Sequence, residues 1–152
     1  MEAPVKVDTV LKTKGRRVET IRPDQSVVMA LHALLSLGIG ALVVSDDGRQ
    51  VDGLIGERDI LRGLRKHGPL LTDLPVHAVM HKGGPVCSPD DTLKHVMELM
   101  TRTRNRHLPV VENGELRGLV SIGDVVKHLV DEVELESKVL RDYVGGRLST
   151  SE

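Results

Sequence analysis

The sequence predicts an α/β (α+β) protein: two β-α-β-β-α units packed sheet to sheet about a pseudo-two-fold axis, followed by a C-terminal helix. Three observations carry this expectation. The chain repeats itself internally, which is the first thing a fold reading must test. Each copy places a glycine-bearing turn between two short apolar runs, the strongest local hairpin signal. And 152 residues, 39% hydrophobic and 28% charged, match an ordinary globular domain. A chain of that length buries roughly 68–70% of its unfolded surface, enough for a core.

The first copy runs from Val18 to about Leu64 and the second from Val86 to about Leu129. Each opens on a short apolar-alternating stretch, Val18–Ile21 and Val86–Ser88. A Pro-Asp turn (Pro23-Asp24; Pro89-Asp90) and a Ser or Thr then start a helix. Val27, Leu31, Leu34 and Leu35 form its apolar stripe in the first copy; Leu93, Val96, Met97 and Met100 do so in the second. A buried strand follows, Ala41–Val44 or His107–Val110, then the turn Asp46-Asp47-Gly48 or Glu112-Asn113-Gly114, then a second strand. A second helix closes each unit, near Glu57–Lys66 and Ile122–Val133. One more helical pattern spans Asp131–Val144 and is expected to end at Gly145-Gly146. The expected division is an N-terminal arm (1–17), repeat 1 (18–66), a short Pro/Gly-punctuated linker (67–78), repeat 2 (79–130) and a C-terminal helix and tail (131–152). The short linker makes the two copies packed neighbours.

Composition narrows the function. There are 21 Lys+Arg against 22 Asp+Glu, with no Trp, no Phe and one Tyr. Stacking platforms for single-stranded nucleic acid are therefore missing, and the balanced charge is unlike that of a nucleic-acid binder. The Lys12, Lys14, Arg16, Arg17 run reads either as a nucleic-acid contact or as a solvated arm. No apolar run is long enough to span a membrane, and the first residues lack the apolar centre of a secretory signal. A single cysteine, Cys87, excludes an internal disulfide and suits a reducing, cytoplasmic setting.

The paired units with Arg106-His107-Leu108-Pro109-Val110-Val111, Gly118-Leu119-Val120-Ser121-Ile122-Gly123-Asp124, Gly40-Ala41-Leu42-Val43-Val44 and Glu57-Arg58-Asp59 resemble a tandem pair of CBS (cystathionine-β-synthase) domains, a Bateman module. The likeness covers about Val10–Leu129 and is nearest to small stand-alone bacterial CBS-pair proteins. It implies a regulatory, energy-sensing protein without enzymatic activity. It also implies adenine nucleotide (AMP or NAD above all) in clefts between the repeats, no catalytic cofactor, a homodimer and a regulated protein partner.

The resemblance also distributes the ligand contacts. In the family, a Ser/Thr-x-x-Asp at the start of each second helix holds the ribose; the second copy keeps it as Ser121-Ile122-Gly123-Asp124. Hydrogen bonds to an ionised Asp are worth about 1.5–3 kcal/mol each. The same spacing is also that of a helix capping box. The first copy has Gly56-Glu57-Arg58-Asp59, so a hydroxyl is missing. Arg58 reads as a phosphate ligand at a helix start or as a solvated surface residue. By the family pattern, the Asp124 cleft draws on Lys14, the Glu19 main chain, Gly40, Ala41 and Val120. The Asp59 cleft draws on Met80, Pro85, Arg106, His107 and Ile55. The cluster of Arg102, Arg104 and Arg106 is a solubilising surface or, better, a phosphate-facing one.

Other motifs lose out. Gly38-Ile39-Gly40 precedes a strand and lacks the third glycine of a dinucleotide fingerprint. His77 and His81 have the i,i+4 spacing of two metal ligands on a helix, but no third ligand is evident. Cys87 has no neighbouring base and reads as core. A ligand-free interaction or dimerisation module remains the competing reading.

Overall fold

The computed structural model describes residues 4–150. Helix α1 (Val7–Lys14) comes first, then strand β1 (Thr20–Ile21), helix α2 (Val27–Leu37) and strands β2 (Ala41–Val44) and β3 (Gly53–Gly56). Helix α3 (Glu57–His67) closes the first unit, and two 3-10 turns, Gly68–Asp73 and Val76–Ala78, lead to the second. That unit contains α4 (Leu93–Thr103), β4 (His107–Glu112), β5 (Glu115–Ser121) and α5 (Ile122–Thr150). Among the described residues no helix is long and apolar enough to cross a membrane.

The two copies use the same local devices. The Ser26 hydroxyl accepts from the Met29 N–H and the Thr92 hydroxyl from the His95 N–H, both at 3.1 Å, so α2 and α4 start on matching caps. Both end on a left-handed residue, Gly38 (φ 63°) and Arg104 (φ 58°). Asn113 and Gly114 both have positive φ, as a two-residue hairpin between β4 and β5 requires. The first copy has a longer loop there, held by the Asp47 carboxylate, which accepts from the N–H groups of Arg49 and Gln50.

In the first sheet β1 runs parallel to β2, and β2 antiparallel to β3. In the second, among the described residues, β4 and β5 alone are strands, and the expected strand at Val86–Ser88 shrinks to one parallel bridge between Cys87 and Val110. The reason is a missing donor. Val43 N–H donates to Glu19 C=O in the first sheet; Pro109 stands at the matching position of the second and has no N–H.

The repeats exchange their leading segments. Val7 N–H donates to Asp91 C=O (2.9 Å) and Leu93 N–H to Val5 C=O (2.9 Å), which joins the start of the chain to repeat 2. Val76 N–H donates to Gln25 C=O (2.7 Å) and Val27 N–H to Leu74 C=O (3.0 Å), which joins the linker to repeat 1. The two cores follow suit. Val7, Val10 and Leu11 are buried with Leu93, Val96, Met100, Leu108 and Val120. Leu71 and Val76 are buried with Val27, Leu34, Leu42 and Ile55. Gly118 makes room for α1: a Cβ there would lie 2.5 Å from a Leu11 methyl.

Three details differ from expectation. The residues expected as an arm include a helix with a fully buried face. In α2 the buried face is Val27, Ala30 and Leu34, while Leu31 and Leu35 point outward. And α5 runs unbroken from the start of the repeat's last helix through Gly145. Gly145 has no positive φ, so the stop signal of a left-handed glycine is not used.

Candidate functional site

Two clefts lie where the repeats face each other. The larger, ≈ 520 Å³, is bounded by the start of β2 (Gly40, Ala41), the start of α3 (Glu57, Arg58, Asp59, Arg62), His81, and the α4–β4 corner from Thr103 to His107. Four guanidinium groups, Arg58, Arg62, Arg104 and Arg106, face two carboxylates, Glu57 and Asp59. That balance suits a bound anion, since arginine binds phosphate bidentately.

Asp59 is the buried anchor of this cleft, 3% exposed. One oxygen accepts from the Gly56 N–H at 2.9 Å, capping α3. His81 Nδ1 lies 2.9 Å from both carboxylate oxygens and donates to them, since an ionised carboxylate has only acceptors. Arg62 Nη1 stands 3.6 Å away. Only half of a capping box exists here, because Gly56 has no hydroxyl to return to the helix. A Cβ at Gly56 would lie 2.8 Å from the Gly40 carbonyl oxygen. The departure from Ser/Thr therefore accompanies a close backbone approach between β2 and β3.

The smaller cleft, ≈ 270 Å³, is lined by Lys14, Arg17, Val18, Glu19, Gly38–Ala41, His107, Leu119 and Ser121. Asp124 stands beside it. Its Oδ2 accepts from Lys14 Nζ at 2.6 Å and from the Ser121 N–H at 2.9 Å, and the Ser121 hydroxyl accepts from the Asp124 N–H at 3.1 Å. Ser121 and Asp124 thus form a complete capping box. Partial burial pushes the Asp124 carboxyl up, but the Lys14 ammonium and the Ser121 groups outweigh it and hold it below the ordinary value. Lys14 also donates to Leu119 C=O at 2.9 Å.

His107 is the shared wall. With Gly40 and Ala41 it lines both clefts. Burial, with the positive charges of Lys14 and Arg106, lowers its pKa; Asp124 pulls the other way.

Of the residues singled out in sequence, Gly40, Ala41, Arg58, Asp59, Arg104, Arg106 and His107 come together in the larger cleft. Lys14, Glu19 and Ser121 line the smaller one, with Gly40, Ala41 and His107 again. Ile55 and Val120 are fully buried in the two cores, and Met80 packs against the first core. Pro85 is half-buried and lines neither cleft. The Glu19 carbonyl already accepts from Val43 N–H within the sheet. Sequence reasoning missed Arg62 and the partnership of His81 with Asp59. His81 follows a single 3-10 turn, Val76–Ala78, so the helical i,i+4 relation to His77 is not formed. Among the described residues no group of three His, Cys, Asp or Glu side chains is arranged to hold a metal ion.

The same two-repeat architecture occurs in known proteins. The sequence profile of the CBS domain matches residues 13–66 and 76–131. The chain is 32% identical over 148 residues to the mitochondrial CBS domain-containing protein CBSX3 of Arabidopsis thaliana, covering 92% of this chain and 72% of that one. A crystal structure of a CBS-domain containing protein from Agrobacterium tumefaciens superposes with a TM-score of 0.78 at 42% identity, covering 82% of this chain and 98% of that one. The crystal structure of CBSX2 in complex with AMP shares the fold at 24% identity (TM-score 0.70; 84% of this chain, 97% of that one).

Proposed function

This chain belongs to the CBS domain family, and from that premise we propose that it is a regulatory module whose inter-repeat clefts bind an adenine nucleotide. One observation carries the reading: an open ≈ 520 Å³ cleft with a buried aspartate at a helix start and four arginines around it. In this reading Asp59 receives the ribose hydroxyls and Arg58, Arg104 and Arg106 the phosphates. The narrow wall at Gly40 and Ala41 admits the flat base. The second site uses Ser121 and Asp124, with Lys14 and Glu19 beside them. The family pattern also assigns contacts to Ile55, Met80, Pro85 and Val120, which line neither cleft and would need the repeats to shift before touching a ligand. AMP is the first ligand to test, because the fold neighbour CBSX2 was crystallised with it; NAD is the second. The protein acts without catalysis, in the cytoplasm, as a homodimer read by a protein partner, and not on nucleic acid or at a membrane. A ligand can shift the packing of the repeats only by its differential affinity for the two arrangements.

A second reading, a ligand-free interaction module, is favoured by the internal partners of both aspartates, Lys14 on Asp124 and His81 on Asp59. One experiment separates the two. The purified protein has one Tyr and no Trp, so retained nucleotide dominates its near-ultraviolet spectrum. Denaturation and mass spectrometry then identify what is released. An adenine compound at one or two per chain supports the sensor. A clean protein that also fails to bind AMP, ATP and NAD in calorimetry supports the interaction module.

A further inference from the structure

From Val133 to Gly145 every residue of α5 is exposed, and the helix carries apolar residues along a seam that the fold does not use. Val126, Val130, Val133, Ser137, Leu140 and Val144 recur at alternating steps of four and three. The five apolar members are 44–65% exposed. The neighbouring seam that continues the buried face of Val125 and Leu129 carries Glu132 and Glu136 instead, so the apolar stripe is not an extension of the core.

From this we propose that α5 pairs with α5 of a second copy as a parallel, in-register two-stranded coiled coil. Steps of four and three place Val130, Ser137 and Val144 at heptad position a and Val126, Val133 and Leu140 at d. The β-branched Val130 and Val144 at a suit two strands, as does Leu140 at d; Val126 and Val133 fill the other d positions, and the one polar a residue, Ser137, marks the register. The flanking charges select the orientation. In a parallel pair Glu136 at g faces Arg141 at e of the other helix. An antiparallel pair centred on the same seam sets Lys127 against Arg141, and Glu134 and Glu136 each against its own copy. The pairing is independent of whether the clefts bind nucleotide.

The test uses full-length Ser137→Cys. The native thiol, Cys87, is buried and pushed up to about 12, so it does not compete. A parallel in-register pair brings the two copies of position 137 within disulfide reach, whereas Asp142→Cys lies on the outer face. Under mild oxidation the first variant is expected to form covalent dimer at least about tenfold faster than the second. Glu136→Arg should weaken self-association in sedimentation equilibrium, and adding Arg141→Glu should restore it. Equal cross-linking of the two cysteine variants, or none, overturns the proposal; so does failure of the charge exchange to restore association.

Discussion

The His107 ring lies directly over Gly40, so that a Cβ on Gly40 would sit 2.8 Å from Cε1 and 2.9 Å from Nε2. Because both residues line both clefts, this contact sets the thickness of the wall between them. The obstacle is the tip of a side chain, which can swing away. Gly40→Ala should therefore cost little stability, under about 1.5 kcal/mol. It should push the ring outward and move its pKa back up toward the ordinary histidine value, since burial is the largest cause of its depression. NMR titration of the ring checks this. An unmoved titration would mean that the ring is not seated on Gly40.

Gly56 meets a harder obstacle, the Gly40 carbonyl oxygen at 2.8 Å from a built Cβ. Gly56→Ser should destabilise the chain by about 1–3 kcal/mol, as overpacking does. Restoring the family's hydroxyl there is thus expected to lower the denaturation midpoint. A variant as stable as the parent would show that β2 and β3 separate easily at this point.

Arg104 ends α4 in the left-handed region at φ 58°, where its counterpart is Gly38. That conformation costs an L-residue roughly 1–2 kcal/mol. Arg104→Gly should raise stability by about 0.5–1 kcal/mol, the gain being reduced by glycine's greater freedom when unfolded. If the Asp59 cleft holds a phosphorylated ligand, the same variant should bind it about tenfold more weakly or worse. Thermal unfolding and calorimetry on one preparation test both halves.

Lys14 holds the Asp124 carboxyl below the ordinary value. A carboxylate with a depressed folded pKa contributes stability above its unfolded pKa, near 3.8, and loses it as pH falls through the folded one. Lys14→Met should therefore cost stability at pH 7, by less than about 1 kcal/mol because the pair is partly exposed. The gap to the parent should narrow below about pH 4. Urea titrations at pH 7 and pH 3 measure it, and a constant gap would assign the effect to packing.

The architecture was legible because its signals are local and doubled. Matching caps at Ser26 and Thr92 and glycine turns at Gly48 and Gly114 need no knowledge of tertiary contacts. What stayed hidden depends on contacts distant in sequence. The outward turn of Leu31 and Leu35 is decided by which face the sheet covers. The exchange of leading segments has a faint signature, Val7-x-x-Val10-Leu11 against Val76-x-x-Val79-Met80, but its spacing to the rest of the repeat differs between copies. In the site, Arg58 and Asp59 are legible from the helix-start motif and Arg104 and Arg106 from the basic cluster before β4, but Arg62 carries no such signal. The local sequence of His81 shows only its i,i+4 spacing to His77, and nothing in it points to a carboxylate 22 positions earlier.

The exchanged segments also have a consequence for synthesis on the ribosome. The partners of Val7 and Val5 lie 84 and 88 residues downstream, in Asp91 and Leu93, so α1 emerges long before its seat exists. At about 5–20 residues per second that interval lasts several seconds, during which Val7, Val10 and Leu11 have no core to enter. The linker, by contrast, meets a repeat 1 that is already made. Nascent chains arrested before Leu93 should therefore display the apolar face of α1 to chaperones, and the two halves of this pseudo-symmetric protein mature in a fixed temporal order.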